Sequence, residues 1–164
     1  MSRLDSVIAR LMAQRACLDF ACAAISDVAG PVLELGLGNG RTYDHLRSRL
    51  PERRIFVFER QISAHPDCVP PDQDVFLGDF LQHLPVALDR TGRPAALVHA
   101  DIGTGDKRAS VALAASISGL VVDLMADGGL LLSDQPFDDN RLEALPLPEG
   151  VPLRRYHLNR RITA

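Results

Sequence analysis

Three alternate glycines, Gly36, Gly38 and Gly40, follow directly on Val32-Leu33-Glu34-Leu35. An apolar run that ends in such a turn lets backbone N–H groups approach a ligand with no Cβ in the way. The pattern is GxGxG, with Arg41 standing where a dinucleotide fingerprint has its last glycine. Carboxylates recur at the ends of the neighbouring apolar runs. Glu34 lies two residues before Gly36, Glu59 closes Ile55-Phe56-Val57-Phe58, and Asp79 stands in Leu77-Gly78-Asp79-Phe80. A carboxylate at Glu34 is costly to bury without a cationic or hydrogen-bonding partner, and a ligand ammonium would serve. Glu59 has the spacing from the glycines of an acid that accepts from two ribose hydroxyls. Asp79, beside the apolar Phe80, is placed to accept from an adenine amino group. Two more acids end later runs: Asp101 after Val98-His99-Ala100, and Asp134 after Leu131-Leu132-Ser133.

These residues can act together only if the runs lie side by side. Residues 3 to 27 carry Leu4, Ile8, Leu11, Leu18, Cys22 and Ile25 at helical spacing, which predicts a long amphipathic first helix. Residues 32 to 35 read as a strand, and Tyr43, Leu46 and Leu50 as the helix after the glycine turn. Short apolar runs at 55–58, 75–77, 95–98 and 130–132 read as strands buried on both faces of a parallel sheet. Lys107 to Ala126 forms one more helix, with Val111, Ala114, Ile117, Val121 and Leu124 on one face. Alternating strands and helices predict a doubly wound, mostly parallel α/β sheet in three layers. In such a sheet ligands bind beyond the carboxyl ends of the strands, where all five acids fall.

The chain has 164 residues, the size of a single domain: a helix over 1–30, a core over 31–136 and a closing segment over 137–164. Its 46% hydrophobic and 24% charged residues exclude the disordered and fibrous classes. A net charge of -3 provides no basic field for a nucleic-acid backbone, and with no Trp and only 2 Tyr there are few platforms for stacked bases. Cys17, Cys22 and Cys68 form no CxxC pair and are odd in number, which fits reduced thiols in the cytoplasm. No signal peptide or membrane span is read in the chain.

From Val32 to Pro136 the pattern resembles the class I S-adenosylmethionine-dependent methyltransferases. Glu34-Leu35-Gly36-Leu37-Gly38-Asn39-Gly40 is similar to that family's first motif, Glu59 to its ribose-binding acid, and Gly78-Asp79-Phe80 to its adenine-binding segment. The resemblance implies a Rossmann-like methyltransferase fold. It also implies S-adenosylmethionine as cosubstrate, held by Gly36, Gly38, Asn39, Glu59, Asp79 and Phe80, with Glu34 near the methionine ammonium. Asp101 falls at the methionine and sulfur region and Asp134 toward the acceptor, and these two are the catalytic candidates. The expected reaction is methyl transfer to an oxygen or nitrogen of a small molecule, with no nucleic-acid or membrane partner. Metal-dependent O-methyltransferases of the catechol type carry an Asp-Asn pair after the fifth strand. Here the pair is Asp134-Gln135, whose extra methylene argues against an octahedral Mg²⁺ site.

His99 has the pKa of a neutral-pH base, but it sits one pleat deeper than Asp101 and reads more readily as a core residue. The remaining histidines, 45, 65, 83 and 157, make no metal-ligand spacing. A last strand over Leu153 to Leu158 is expected to close an edge, with Arg154, Arg155, Arg160 and Arg161 keeping that edge solvated. The 28 residues after Pro136 look short for the two closing strands of the full family fold. Little chain remains for an acceptor wall, so a second copy docked on the first helix is one source of it. Two rival classes stay open, an NAD(P)-binding oxidoreductase and an S-adenosylmethionine-binding module without catalysis.

Overall fold

The computed structural model describes residues 2–163; Met1 and Ala164, the ends of the expected domain, lie outside the described residues. Helix α1 (Arg3–Ala24) starts in a capping box, in which the Ser2 hydroxyl accepts from the Asp5 N–H and the Asp5 carboxylate accepts from the Ser2 N–H. Strand β1 (Val32–Leu35) runs through the glycine turn into α2 (Arg41–Arg49), and β2 (Ile55–Glu59) and β3 (Val75–Leu77) follow. Two short helices, α3 (Phe80–His83) and α4 (Ala87–Thr91), lead to β4 (Ala95–Ala100). After α5 (Lys107–Asp123) come β5 (Met125–Ser133), β6 (Leu142–Ala144) and β7 (His157–Arg161).

The sheet order is β3-β2-β1-β4-β5-β7-β6. Strands β1 to β5 are parallel, and β7 is antiparallel to both β5 and β6. Alternate side chains divide between two cores. On one face Leu33, Leu35, Phe58, Val98 and Leu131 pack against α3, α4 and α5. On the other, Val32, Val57, Leu97 and Leu132 pack against α1 and α2 through Cys17, Leu18, Tyr43 and Leu46. Each such fully buried side chain contributes roughly 1.5–3 kcal/mol. Helices on both sheet faces make the three layers expected from the alternating pattern.

Several boundaries differ from the periodicity, each for a tertiary reason. The buried face of α1 is Ala13, Gln14, Cys17, Leu18, Ala21 and Cys22, whereas Leu4 and Ile8 are 68% and 47% exposed. The helix lies along the sheet only from its third turn, and its first turns project past the strands' carboxyl ends. Helix α5 stops at Asp123 instead of Ala126 because Met125 is already paired with Ala95 in the sheet. Pro85, which lacks a donor, breaks the segment between β3 and β4 into α3, a 3₁₀ turn and α4.

The C-terminal end corrects two expectations. Both closing strands fit into the tail, because no helix intervenes between Ser133 and His157 and β6 has only three residues. The last strand begins at His157, not Leu153, and inserts between β5 and β6 instead of closing the edge. Edge protection therefore does not explain the arginines. Arg161 donates to the Met125 carbonyl, and Arg154 precedes the strand in a left-handed conformation, φ 65°.

Opposite the strands' carboxyl ends, Arg53 ties the end of α1 to the sheet. Its guanidinium donates to the carbonyls of Ile25, Val28 and Gly30, each at 2.8 Å. Charge-assisted bonds are worth about 1.5–3 kcal/mol and these three are partly buried, so Arg53→Ala is expected to lower unfolding free energy by about 2–3 kcal/mol. Urea denaturation checks this, and a loss under about 0.5 kcal/mol would make the clamp ornamental. Among the described residues no helix is long and apolar enough to cross a membrane.

Candidate functional site

The strands' carboxyl ends and the first turns of α1 enclose a polar cleft of about 270 Å³, lined by Arg10, Gln14, Gly36, Gly38, Asn39 and Asp101 among others. Gly36 has φ 88°, and a Cβ there would collide with the carbonyl oxygen of Asp101. Only glycine lets the ends of β1 and β4 meet so closely. Gly38, at φ 52°, has open space where its Cβ would project, so its backbone lies bare at the cleft.

Glu59 spans this turn. One carboxylate oxygen accepts from the N–H of Leu37 at 2.8 Å and of Gly38 at 3.1 Å, and the other from Arg60 N–H at 2.7 Å. The acid predicted at a ribose thus stands at the glycine turn, 21 residues away in sequence from Gly38. Asn39 is exposed and accepts from the Arg41 N–H. Asp79 caps α3 through the Leu81 N–H at 2.8 Å and meets the Arg60 guanidinium at 2.9 Å. The cap and the Arg60 contact hold its carboxyl below the usual range. Phe80 turns away from the adenine position expected for it: it is 8% exposed and packs into the core beneath α3.

Glu34 also departs from its expected place. It has no exposed surface, and its partner is internal: one oxygen accepts from the Thr42 hydroxyl and the other pairs with His99 Nδ1 at 2.7 Å. The two residues are register partners on β1 and β4, so adjacent strands bring them together. A ligand ammonium is not needed to satisfy Glu34, and His99, wholly enclosed, cannot meet a substrate as a base. The carboxylate that borders the cleft is Asp101, which accepts from Gln14 Nε2 at 2.9 Å.

Asp134, expected toward the acceptor, is already engaged. It accepts from the N–H groups of Ile102 and Gly103 and from Gln135 Nε2, each at 3.0 Å. Burial, reinforced by Asp101, outweighs these bonds and moves its carboxyl upward. The residue expected to work on an acceptor therefore pins the loop after β4. Among the described residues no group of three or more His, Cys, Asp or Glu is arranged to hold a metal ion.

A second pocket, of about 540 Å³, adjoins at Gly103 and is lined by Lys107, Val111, Asp134, Gln135, Arg154 and His157 among others. Its histidine, Gln14 and Arg10 in the cleft wall, and Tyr156 behind Arg10 were missed by sequence reasoning. Gln14 had a legible signal, a polar residue on the side of α1 that must be buried. Tyr156 is 3% exposed, and burial together with Asp101 pushes its phenol well above the usual range. A hollow of similar size among Asp27, Glu52, Arg53 and Arg93 lies at the opposite ends of the strands, away from all five acids.

Sheet order, glycine turn and strand-end acids together define the Rossmann-like methyltransferase fold. The chain belongs to the S-adenosyl-L-methionine methyltransferase family, whose sequence profile matches residues 1–161. It is similar to an S-adenosyl-L-methionine methyltransferase from Silicibacter pomeroyi DSS-3, with 46% identity and a TM-score of 0.92 over 98% of this chain and 99% of the other. In fold it also resembles the TDP-rhamnose 3'-O-methyltransferase CalS11 of calicheamicin biosynthesis, with a TM-score of 0.62 and 16% identity over 91% of this chain and 79% of that one. A cofactor-bound protein from MTB gives a TM-score of 0.55 at 19% identity, over 95% and 89% of the two chains. No curated protein matches the chain.

Proposed function

We propose that this protein binds S-adenosylmethionine in the cleft at the glycine turn and transfers its methyl group to an oxygen or nitrogen of a small molecule in the adjoining pocket. The observation that carries the reading is Glu59 accepting from the amides of Leu37 and Gly38 at the switch point of the sheet. The site suits the nucleoside: a carboxylate for the ribose diol, uncovered backbone at Gly38, and Asp79 held by Arg60 toward the adenine end. Asp101, oriented by Gln14, is the acid for the methionine ammonium, the role expected of Glu34.

The sulfonium is an activated methyl donor, so the protein's work is alignment and exclusion of water. Asn39 and Gly38 border the cleft on one side and α1 covers it on the other. Asp134 acts by positioning: holding Ile102 and Gly103, it sets the loop that separates cleft from acceptor pocket.

A thermal-shift panel tests the reading against an NAD(P)-dependent enzyme. S-adenosylhomocysteine at about 100 times its Kd is expected to stabilise the protein by about 2.7 kcal/mol, visible as a raised Tm, with NAD⁺ leaving it unchanged. Stabilisation by NAD⁺ alone would replace this function with a redox one.

A further inference from the structure

The pocket beside the cleft has a chemical character of its own. Lys107 opens α5, Arg154 stands in the loop before β7, and His157 is the first residue of β7. Because β7 is antiparallel, its start lies at the carboxyl end of β5, where His157 pairs with Ser133. Two separated segments, the start of α5 and the run from Arg154 into β7, thus deliver cationic or ionisable groups to one hollow. Among the described residues neither Lys107 nor Arg154 has an acidic partner within ion-pair distance. The only acid in the pocket wall, Asp134, is occupied by three N–H donors. Arg154 is also the one non-glycine residue with left-handed backbone among the described residues, a conformation that side chains other than glycine adopt at a cost. With two cations outside any ion pair and one carboxylate turned onto the loop amides, the wall carries a net positive charge and favours an anionic ligand.

Resting on the methyl-transfer reading above, we propose that this pocket binds a small anionic acceptor, a carboxylate or phosphate compound bearing a hydroxyl or amino group. Its anion lies between Lys107 and Arg154, and its nucleophile faces His157, which takes the proton. In the step itself the acceptor's lone pair forms the new bond to the methyl carbon. The carbon–sulfur bond breaks with its electron pair left on sulfur, giving neutral S-adenosylhomocysteine. The proton of the hydroxyl or amine passes to an imidazole nitrogen of His157 and then to water. Burial lowers the basicity of His157 against the opposite pull of Asp134, so the ring is neutral and able to accept at pH 7. The charged groups around it are Asp134 just after β5, Lys107 from α5 and Arg154 from the preceding loop.

Nuclear magnetic resonance titration tests the assignment with 4-hydroxybenzoate and phenyl phosphate as anionic probes and 4-hydroxybenzamide as the neutral control. All are added to protein saturated with S-adenosylhomocysteine, and again without it. At least one anion is expected to shift the amides of Gly105 and Val111 and to bind at least about tenfold more tightly than the amide, and the better of the two identifies the headgroup. Anion binding should also raise the titration midpoint of the His157 ring, which the amide leaves in place. Lys107→Gln with Arg154→Gln should weaken the anions at least about tenfold without changing S-adenosylhomocysteine affinity. Arg154→Gly, which suits the left-handed backbone and removes only the cation, should weaken them as Arg154→Gln does. Equal binding of amide and anions, or anion affinity indifferent to these substitutions, overturns the inference. Failure of S-adenosylhomocysteine to bind would instead overturn the methyl-transfer reading, and the titration without it keeps the two failures apart.

Discussion

Glu59→Ala is expected to weaken S-adenosylhomocysteine binding about 100-fold, a loss of about 2.7 kcal/mol measured by calorimetry. The substitution removes the carboxylate that would receive the two ribose hydroxyls, and charge-assisted bonds of that kind are worth about 1.5–3 kcal/mol each. It also leaves the amides of Leu37 and Gly38 without their acceptor, so the glycine turn loses part of its preorganisation. Glu59→Gln keeps an acceptor oxygen at the turn but removes the charge, and should fall between wild type and Glu59→Ala. The fold should persist at a cost of about 1–3 kcal/mol, because the exposed Gly38 amide can be hydrated while that of the buried Leu37 is left without an acceptor. Unchanged affinity in Glu59→Ala would remove the ribose from this cleft.

His99→Ala is expected to cost about 3–5 kcal/mol of unfolding free energy, the penalty for leaving one partner of a buried ion pair alone. Glu34 would keep only the Thr42 hydroxyl in a setting without solvent. Replacing both residues, as in Glu34→Leu with His99→Leu, should recover most of the loss, since a buried pair is roughly balanced by apolar groups of similar volume. The effect has a pH signature. Complete burial opposes charging the ring, but the charge and hydrogen bond of Glu34 outweigh it and hold the imidazole above its ordinary 6.5. A raised folded-state value stabilises most at and below 6.5 and loses that contribution as the pH rises through the folded value. Wild type should therefore exceed His99→Ala by most between about pH 5 and 6.5, with the gap narrowing in alkaline buffer. Denaturant titrations across pH check both points, and a penalty below about 1 kcal/mol would show that the pair is dispensable.

Both variants probe acids that were visible in the primary structure, yet only one of them was understood there. Glu59 follows a strand and faces a glycine turn, and both facts are local: the strand comes from Ile55 to Phe58 and the turn from Gly36 to Gly40. Glu34 has the same kind of local context, but its partner is 65 residues away and is chosen by the pairing of β1 with β4. Asp134 shows the same limit. Its position after an apolar run was legible, as was the adjacent Gln135, while its two backbone donors come from a loop that only the sheet brings beside it. Phe80 was assigned by its neighbour Asp79, but a four-residue helix rotates its ring into the core.

The order of the last strands shows where local pattern ceases to decide. Residues 153 to 158 were read as a strand, but Pro152 and the left-handed Arg154 postpone it to His157, and pairing with Leu130 to Ser133 carries it inside the sheet. That insertion puts His157 and Arg154 next to Lys107, a neighbourhood with no trace in spacing.

By itself the sequence determined the doubly wound sheet, its glycine turn and the rim on which the acids collect, because periodicity, turn chemistry and strand ends are properties of neighbouring residues. The tertiary structure alone decided which acids face the cleft, which are sealed against a partner, and which segments wall the second pocket. Those outcomes depend on burial and on contacts between distant strands, and the cost of an unpaired charge in a dry core dictates that Glu34 turns to His99 while Glu59 stays at the open turn.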